Sequence, residues 1–236
     1  MKITCIWEHN GSDSILYASN LPGASTRGPS LEAAAERMGR EVRRWFAWQG
    51  LAYAGESEIE IVRDAACTLN VSDGDSDVLF PEEAVPLTME EYIRLKELAL
   101  KSAADFLALY ESIPDQDLEL KPRRDTFYGA VPVTAREMYL HTKNVNAYYF
   151  GEIGVEADND GTIVQCRLRG FAALEKIPGF LDNPVLEGSY GEHWSLRKML
   201  RRFVWHDTIH GKAMYRHGIK AFGSGKIPDP FCFGNP

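Results

Sequence analysis

The spacing of hydrophobic and polar residues changes at about residue 86, and the two parts of the chain predict different folds. In the first part, apolar residues come in short alternating or continuous runs, which are typical of β-strands. Three such runs are predicted to be strands: KITCIW, SILYAS and EIEIV. Between the second and third, LEAAAERMGREVRRWFAWQG has helical spacing, with Ser30 as its N-cap. Residues 1–80 are therefore predicted to form a small α+β module with a short antiparallel sheet and one helix.

In the second part, apolar residues recur with the period of an α-helix, and four helices are predicted. One of them is TIVQCRLRGFAALEKI, and residues that commonly cap helices stand at the other three starts: Thr88, Thr134 and Ser195. Four consecutive amphipathic helices favour an all-α four-helix bundle over residues 88–222. Residues 81–87 are predicted to be a linker, and the Gly- and Pro-rich residues 223–236 an irregular tail.

Composition and charge narrow the class of protein. Hydrophobic residues make up 44% of the 236 residues and charged residues 25%, a balance typical of globular proteins. The formal net charge of −8 argues against a nucleic-acid partner, because phosphate binding needs a positive surface. No apolar run reaches the roughly 18 residues that a transmembrane helix needs, so no membrane partner is expected.

The cysteines and the N-terminal residues predict a cytoplasmic location. The four cysteines are far apart in the sequence and form no Cys-x-x-Cys pair, which favours free thiols in a reducing compartment. The N-terminal stretch MKITCIWEHNGSDS lacks the apolar core of a secretory signal.

The segment RFVWHDTIHGKAMYRH concentrates three of the six histidines of the chain. At about 100° per residue, His206 and His210 lie on the same side of the helix, one turn apart. Apolar residues share that side, so it is predicted to face the core: Met199, Phe203, Ala213 and Met214. Two imidazoles placed in this way can bind one metal ion, but the pair alone fits a metal site and ordinary packing equally well.

A third histidine favours a metal site over ordinary packing. His141 falls in a helical stripe that is predicted to face the core: Thr134, Met138, His141, Val145 and Tyr148. Three neutral imidazoles leave positions for water or substrate, which is typical of catalytic rather than structural metal sites. Glu137 is interpreted as a surface carboxylate rather than a ligand or base. His217 lies too far along the last helix to join the set, and His193 precedes that helix and is also too far away. The catalytic residues stay unassigned.

These two segments resemble the DinB superfamily of metal-binding four-helix bundles, over about residues 87–222. The resemblance rests on VTAREMYLHTKNVNAYYF and on the WSLR opening and FVWHDTIH core of the last helix. It implies an up-down-down-up helix arrangement and one divalent metal ion, most often zinc or nickel. The ligands that it implies are His141, His206 and His210. Characterised members include S-transferases and isomerases that use low-molecular-weight thiols as substrates.

The chain departs from the usual pattern of that family after His206. Many members have Glu after the first histidine of the last helix and a second histidine beside the last one, whereas this chain has HDTIHGKAMY. This difference weakens the inference that the chain has any one particular activity of that family.

The first part of the chain is similar to the HicB antitoxin fold. The similarity is carried by SILYASNLPGASTRGPSLEAAAERMGREVRRWF, with its strand, Pro-Gly turn and amphipathic helix. In that family the fold binds a small toxin partner and precedes a DNA-binding tail, which is not seen in this sequence. The module is expected to bind a protein partner, to pack on the helical part or to pair across a homodimer.

Two classes of function remain open at this point. In the first, the chain is a metal-dependent enzyme, a thiol S-transferase or a hydrolase acting on a small molecule. In the second, it is a non-enzymatic binding or regulatory protein with a structural or vestigial metal site, and the HicB-like module recognises the partner. A metal site with open, solvent-accessible positions distinguishes the first class from the second.

Overall fold

The computed structural model describes residues 1–126 and 129–234, which form two compact units. The first unit consists of Met1–Glu83 together with Cys232–Pro236, and the second consists of Ala84–Phe231. No helix in the described ranges is both long and apolar enough to span a lipid bilayer.

The first unit is built on a sheet of four strands. The strands are β1 (Lys2–His9), β2 (Ser14–Ala18), β3 (Ser25–Gly28) and β4 (Glu58–Ala66), and their order in the sheet is β3-β2-β1-β4. β1 and β2 pair in antiparallel fashion, as do β2 and β3, because short turns reverse the chain between them. Helix α1 (Leu31–Trp48) follows β3 and lies between β3 and β4 in the chain.

The prediction of a short antiparallel sheet is wrong, because the sheet is mixed. β4 pairs with β1 in parallel, with Lys2 opposite Glu58 and His9 opposite Ala66. A parallel pair needs a crossover connection, and α1 supplies it by returning the chain so that β4 runs in the direction of β1. β3 is an additional strand between the predicted strand SILYAS and α1.

One face of this sheet and α1 enclose the apolar core of the first unit. The buried residues of that core come from β1, β2, the turn after β2 and α1: Ile3, Cys5, Leu16, Ala18, Leu21, Ala24, Ala34, Met38 and Val42. Ser30 caps α1 as predicted, and its hydroxyl accepts a hydrogen bond from the backbone N–H of Ala33. The helical spacing of the apolar residues therefore places one side of α1 against the sheet.

The second unit contains four helices that pack on one another: α2 (Met89–Glu111), α3 (Ala135–Gly151), α4 (Ile163–Leu174) and α5 (Leu196–Phe222). Thr88, Thr134 and Ser195 cap α2, α3 and α5 as predicted. α3 and α4 approach closely at Gly170, where a Cβ atom would lie 2.1 Å from Cε2 of Phe150. The core between the helices includes four buried aromatic rings: Phe106, Phe150, Phe171 and Phe203.

The predicted all-α four-helix bundle is also wrong as a fold class, because the chain is α+β throughout its length. Two small antiparallel hairpins lie in the connections of the second unit. One consists of β5 (Asp125–Thr126) and β6 (Gly129–Ala130), and the other of β7 (Leu186–Glu187) and β8 (His193–Trp194). Each of these strands has only two residues. Such strands have no detectable period, and their pairing depends on contacts beyond the local sequence.

Candidate metal centre

Three histidines from two helices come together in the second unit. His141 lies on α3, and His206 and His210 lie one turn apart on α5. One ring nitrogen of each histidine lies within 4.8 Å of the chosen ring nitrogens of the other two. Among the described residues, this is the one group of three or more His, Cys, Asp or Glu side chains placed to hold a metal ion. The sequence hypothesis selected the same three residues.

The distances between the rings fit a shared ion. Nε2 of His206 and Nε2 of His210 are 3.1 Å apart. Two nitrogens bound to one zinc ion at about 2.0–2.1 Å are about 2.8–3.0 Å apart in octahedral geometry and about 3.3–3.4 Å apart in tetrahedral geometry. The ring centroid of His141 lies 5.1 Å from that of His206 and 4.7 Å from that of His210. Without an ion, the contact between His206 and His210 is a hydrogen bond in which one ring donates to the other.

The three rings differ in their exposure to solvent. His206 is buried, His210 is half-buried and His141 is exposed. The buried side of α3 is formed by other residues: Ala135, Met138, Tyr139, Thr142, Asn146, Tyr149 and Phe150. The side of α3 that faces the core is therefore rotated about the helix axis relative to the predicted stripe. His141 lies at the edge of the core rather than inside it. Solvent reaches the group of histidines from the side of α3.

One nitrogen of His206 has no hydrogen-bond partner. Nδ1 is buried, and the described residues provide no acceptor or donor for it. A metal-bound histidine usually donates its other ring N–H to a carboxylate or carbonyl, which orients the ring. The ring of Tyr149 packs against His206 instead, with their centroids 6.1 Å apart. His206 is therefore oriented mainly by packing and by its contact with His210.

The surroundings of His206 and His141 favour the neutral imidazole, which is the form that binds a metal. Burial lowers the pKa of His206 well below its ordinary value, and the neighbouring His210 and His141 act in the same direction. Although His141 is exposed overall, the protein atoms around its ring partly desolvate it and lower its pKa, and the nearby ammonium of Lys121 adds to this effect. Three imidazole nitrogens at these distances are a set that zinc or nickel accepts.

The other candidate residues near the site have different roles. Glu137 closes the capping box of α3, where it accepts hydrogen bonds from the backbone N–H groups of Val133 and Thr134. It also pairs with Arg123 at 3.3 Å, so the interpretation as a surface carboxylate agrees with its contacts. His217 and His193 do not belong to the group of close ligand atoms within the described residues.

The sequence analysis missed a buried ion pair that contacts the same stretch of α5. Asp207 follows His206 in the chain, and its Oδ2 atom accepts from Nη1 of Arg167 at 2.5 Å and from the hydroxyl of Ser102 at 2.6 Å. The side chains of Arg167 and Asp207 are both 0% exposed. A charged residue between two core-facing positions, as in VWHDT, is the signal that could have indicated a buried partner.

Comparison with known proteins adds no relative to this description: no family model, no curated protein and no solved structure matches the chain. The assignment of the site therefore depends on its geometry and its chemistry.

Proposed function

We propose that His141, His206 and His210 bind one divalent metal ion, zinc or nickel, and that the protein is an enzyme that uses this ion on a small molecule. The observation that carries the proposal is the convergence of the three imidazoles, with their ligand atoms within 4.8 Å of one another. The resemblance of the α3 and α5 segments to the DinB superfamily supports the same three ligands.

The exposure of His141 supports an enzyme rather than a protein with a structural metal. Structural zinc sites are usually closed by four protein ligands, whereas catalytic sites keep a position for water or substrate. The described residues offer three ligands here, and one of them is exposed. A small molecule can therefore approach the metal from solvent beside α3.

The proposed reactions are thiol S-transfer or hydrolysis. An ion in this site would lower the pKa of a bound thiol or water and so produce a nucleophile near neutral pH. The protein holds the rings of His206 and His210 one turn apart on the same helix. The ion pair of Asp207 with Arg167 ties that helix to α4 behind the site. The thiol alternative rests on the family resemblance, in which low-molecular-weight thiols are substrates.

We propose that the protein acts in the cytoplasm. Three of the cysteines are free thiols: Cys5, Cys67 and Cys166. Free thiols persist in a reducing compartment, where low-molecular-weight thiols are also abundant.

Metal content after dialysis tests the ligand assignment. The wild-type protein should retain about one zinc or nickel ion per chain, because three imidazoles form a complete protein donor set for a catalytic ion. His206→Ala should lose most of the metal, since two ligands rarely hold such an ion against water. His217→Ala is the matched control on the same helix and should retain the metal. Equal metal content in all three proteins, or loss in the control alone, would show that the wrong histidines were chosen.

A further inference from the structure

A cavity of about 610 Å³ lies at the C-terminal end of α3, and none of the three histidines lines it. One wall is the end of that helix, with Tyr148 and Glu152. The other wall is the β7–β8 hairpin, with Glu187, Gly188 and Ser189. The backbone N–H of Ser189 donates to Oε2 of Glu152 at 2.7 Å, and this hydrogen bond joins the two walls.

Glu152 is a buried carboxylate without a cationic partner. Its residue is only 8% exposed. Oε2 accepts the hydrogen bond from Ser189, whereas Oε1 accepts none from the described residues, and no lysine, arginine or histidine among them forms an ion pair with this carboxylate. A charge removed from water is costly unless it is paired, so buried carboxylates normally have a cation beside them. The missing cation can enter from the cavity that Glu152 lines.

The surroundings of Glu152 add to the negative potential of the cavity. Glu152 is the C-cap of α3, where the helix dipole is already unfavourable for an anion and favourable for a cation. Glu187 lines the same cavity, is exposed and has no ion pair within the described part of the chain. The described residues that line the cavity include no lysine, arginine or histidine. Arg202 packs over the ring of Trp194 at 5.8 Å and is not part of the lining.

Gly188 and Tyr148 make the cavity suitable for an organic cation. A Cβ atom at Gly188 would lie 1.7 Å from Oε2 of Glu152, so the absence of a side chain lets the hairpin approach the carboxylate. Tyr148 precedes Glu152 by one helical turn, is 37% exposed and meets the ring of the buried Trp194 edge to face, with their centroids 6.0 Å apart. An aromatic ring beside carboxylates attracts an ammonium group, and the cavity also has room for an alkyl chain.

We propose that this cavity binds the primary ammonium group of a small aliphatic amine. Glu152 supplies the counter-charge at the bottom of the cavity, and the ring of Tyr148 contacts the ammonium and the adjoining methylene groups. Glu187 adds negative charge at the more exposed side, which favours an amine with a second ammonium group. The three proposed metal ligands are not part of the cavity, so binding of the amine can be measured without a metal.

Isothermal titration calorimetry with two matched probes measures this binding. The probes are 1,4-diaminobutane and the neutral 1,4-butanediol, in about 0.1 M NaCl so that exposed charges are partly screened. The wild-type protein should bind the diamine at least about tenfold more tightly than the diol, because the diamine forms charge-assisted hydrogen bonds with the carboxylate. Glu152→Gln should remove this preference, and Tyr148→Leu should weaken the diamine about threefold.

Glu156→Gln is the matched control, because it removes the same charge from an exposed position four residues later that does not line the cavity. It should bind the diamine as the wild-type protein does. Gly188→Ala displaces the carboxylate of Glu152 from the hairpin side, and it should also weaken the diamine. If circular dichroism shows that Glu152→Gln does not fold, Gly188→Ala and Tyr148→Leu decide the result.

Three results would overturn the proposal. The first is equal binding of the diamine and the diol by the wild-type protein. The second is a loss in Glu156→Gln as large as that in the variants of the cavity. The third is tighter binding of calcium than of the diamine at the same carboxylates, which would replace the organic cation by an inorganic one.

Discussion

At the scale of single residues, the ion pair of Arg167 and Asp207 is the most demanding feature of the core. The side chains of both residues are fully buried, and Ser102 donates a further hydrogen bond to the carboxylate. The backbone carbonyl of Ala99 accepts from the same guanidinium at 2.9 Å. A buried pair of this kind adds little net stability, because both charges are removed from water. Losing one partner is costly, since the other remains as an uncompensated charge.

Asp207→Ala should therefore lower the free energy of unfolding by about 3–5 kcal/mol. Urea unfolding followed by circular dichroism measures the change. The double variant Arg167→Met with Asp207→Leu is the matched control, because it removes both charges and keeps apolar volume. It should be much more stable than the single variant. A loss below about 1 kcal/mol in Asp207→Ala would mean that water or another group compensates Arg167.

At the scale of secondary-structure elements, the helix starts depend on a few neighbouring residues. Thr88 and Thr134 were predictable as N-caps because a capping box needs only the cap and the residue three positions later. The parallel pairing of β4 was not predictable, because its partner β1 lies more than 50 residues earlier. The orientation of α3 that leaves His141 exposed was not predicted either, because it depends on contacts with helices distant in sequence. Periodicity finds the apolar side of a helix, but its neighbours decide how that side is oriented.

The capping box of α2 predicts a pH-dependent contribution to stability. The backbone N–H of Thr88 and the guanidinium of Arg197 lower the pKa of Glu91 to about 2. In the unfolded chain a glutamate has a pKa of about 4.3. A carboxylate whose pKa is lower in the folded state stabilises the fold above about pH 4.3, and this contribution is lost as the pH falls toward 2.

Glu91→Gln should consequently lower the melting temperature at pH 7, and the difference from wild type should shrink as the pH approaches 3. Thermal unfolding over this pH range measures it. Glu90→Gln removes the same charge from the same helical turn without affecting the cap, and it should have a smaller effect. A difference between Glu91→Gln and wild type that stays constant with pH would contradict the role of the carboxylate charge.

At the scale of the whole molecule, the chain divides into one unit built on the mixed sheet and one built on α2 to α5. The three proposed ligands all belong to the second unit. Metal binding should therefore stabilise that unit directly, because an ion that binds only the folded state shifts the unfolding equilibrium. The donor set of the site could be selected from the sequence, since His206 and His210 are local neighbours. The lack of a hydrogen-bond partner for the buried Nδ1 of His206 among the described residues could not be predicted, because it depends on which side chains pack around the ring.

Zinc should raise the stability of the second unit by about 2.7 kcal/mol at a free concentration 100 times the dissociation constant. A chelator should reverse the gain, and His210→Ala should show none. Burial lowers the pKa of His206, so protons compete with zinc only below the ordinary histidine value of about 6.5. The gain should therefore be constant from pH 8 to 6.5 and decline in more acid solution. Calorimetry at each pH measures it, and a gain of equal size in His210→Ala would contradict the proposed ligands.

The return of residues 232–234 to the first unit has a consequence for synthesis on the ribosome. Phe233 lies 5.7 Å from the guanidinium of Arg44 on α1, although the whole second unit separates them in the chain. A nascent chain can assemble β1 to β4 and α1 early, but this contact can form only after α5 has left the exit tunnel. Domains usually fold in the order in which they are made. Here the first unit cannot complete its fold until the second unit has been translated, because residues 232–234 are made last.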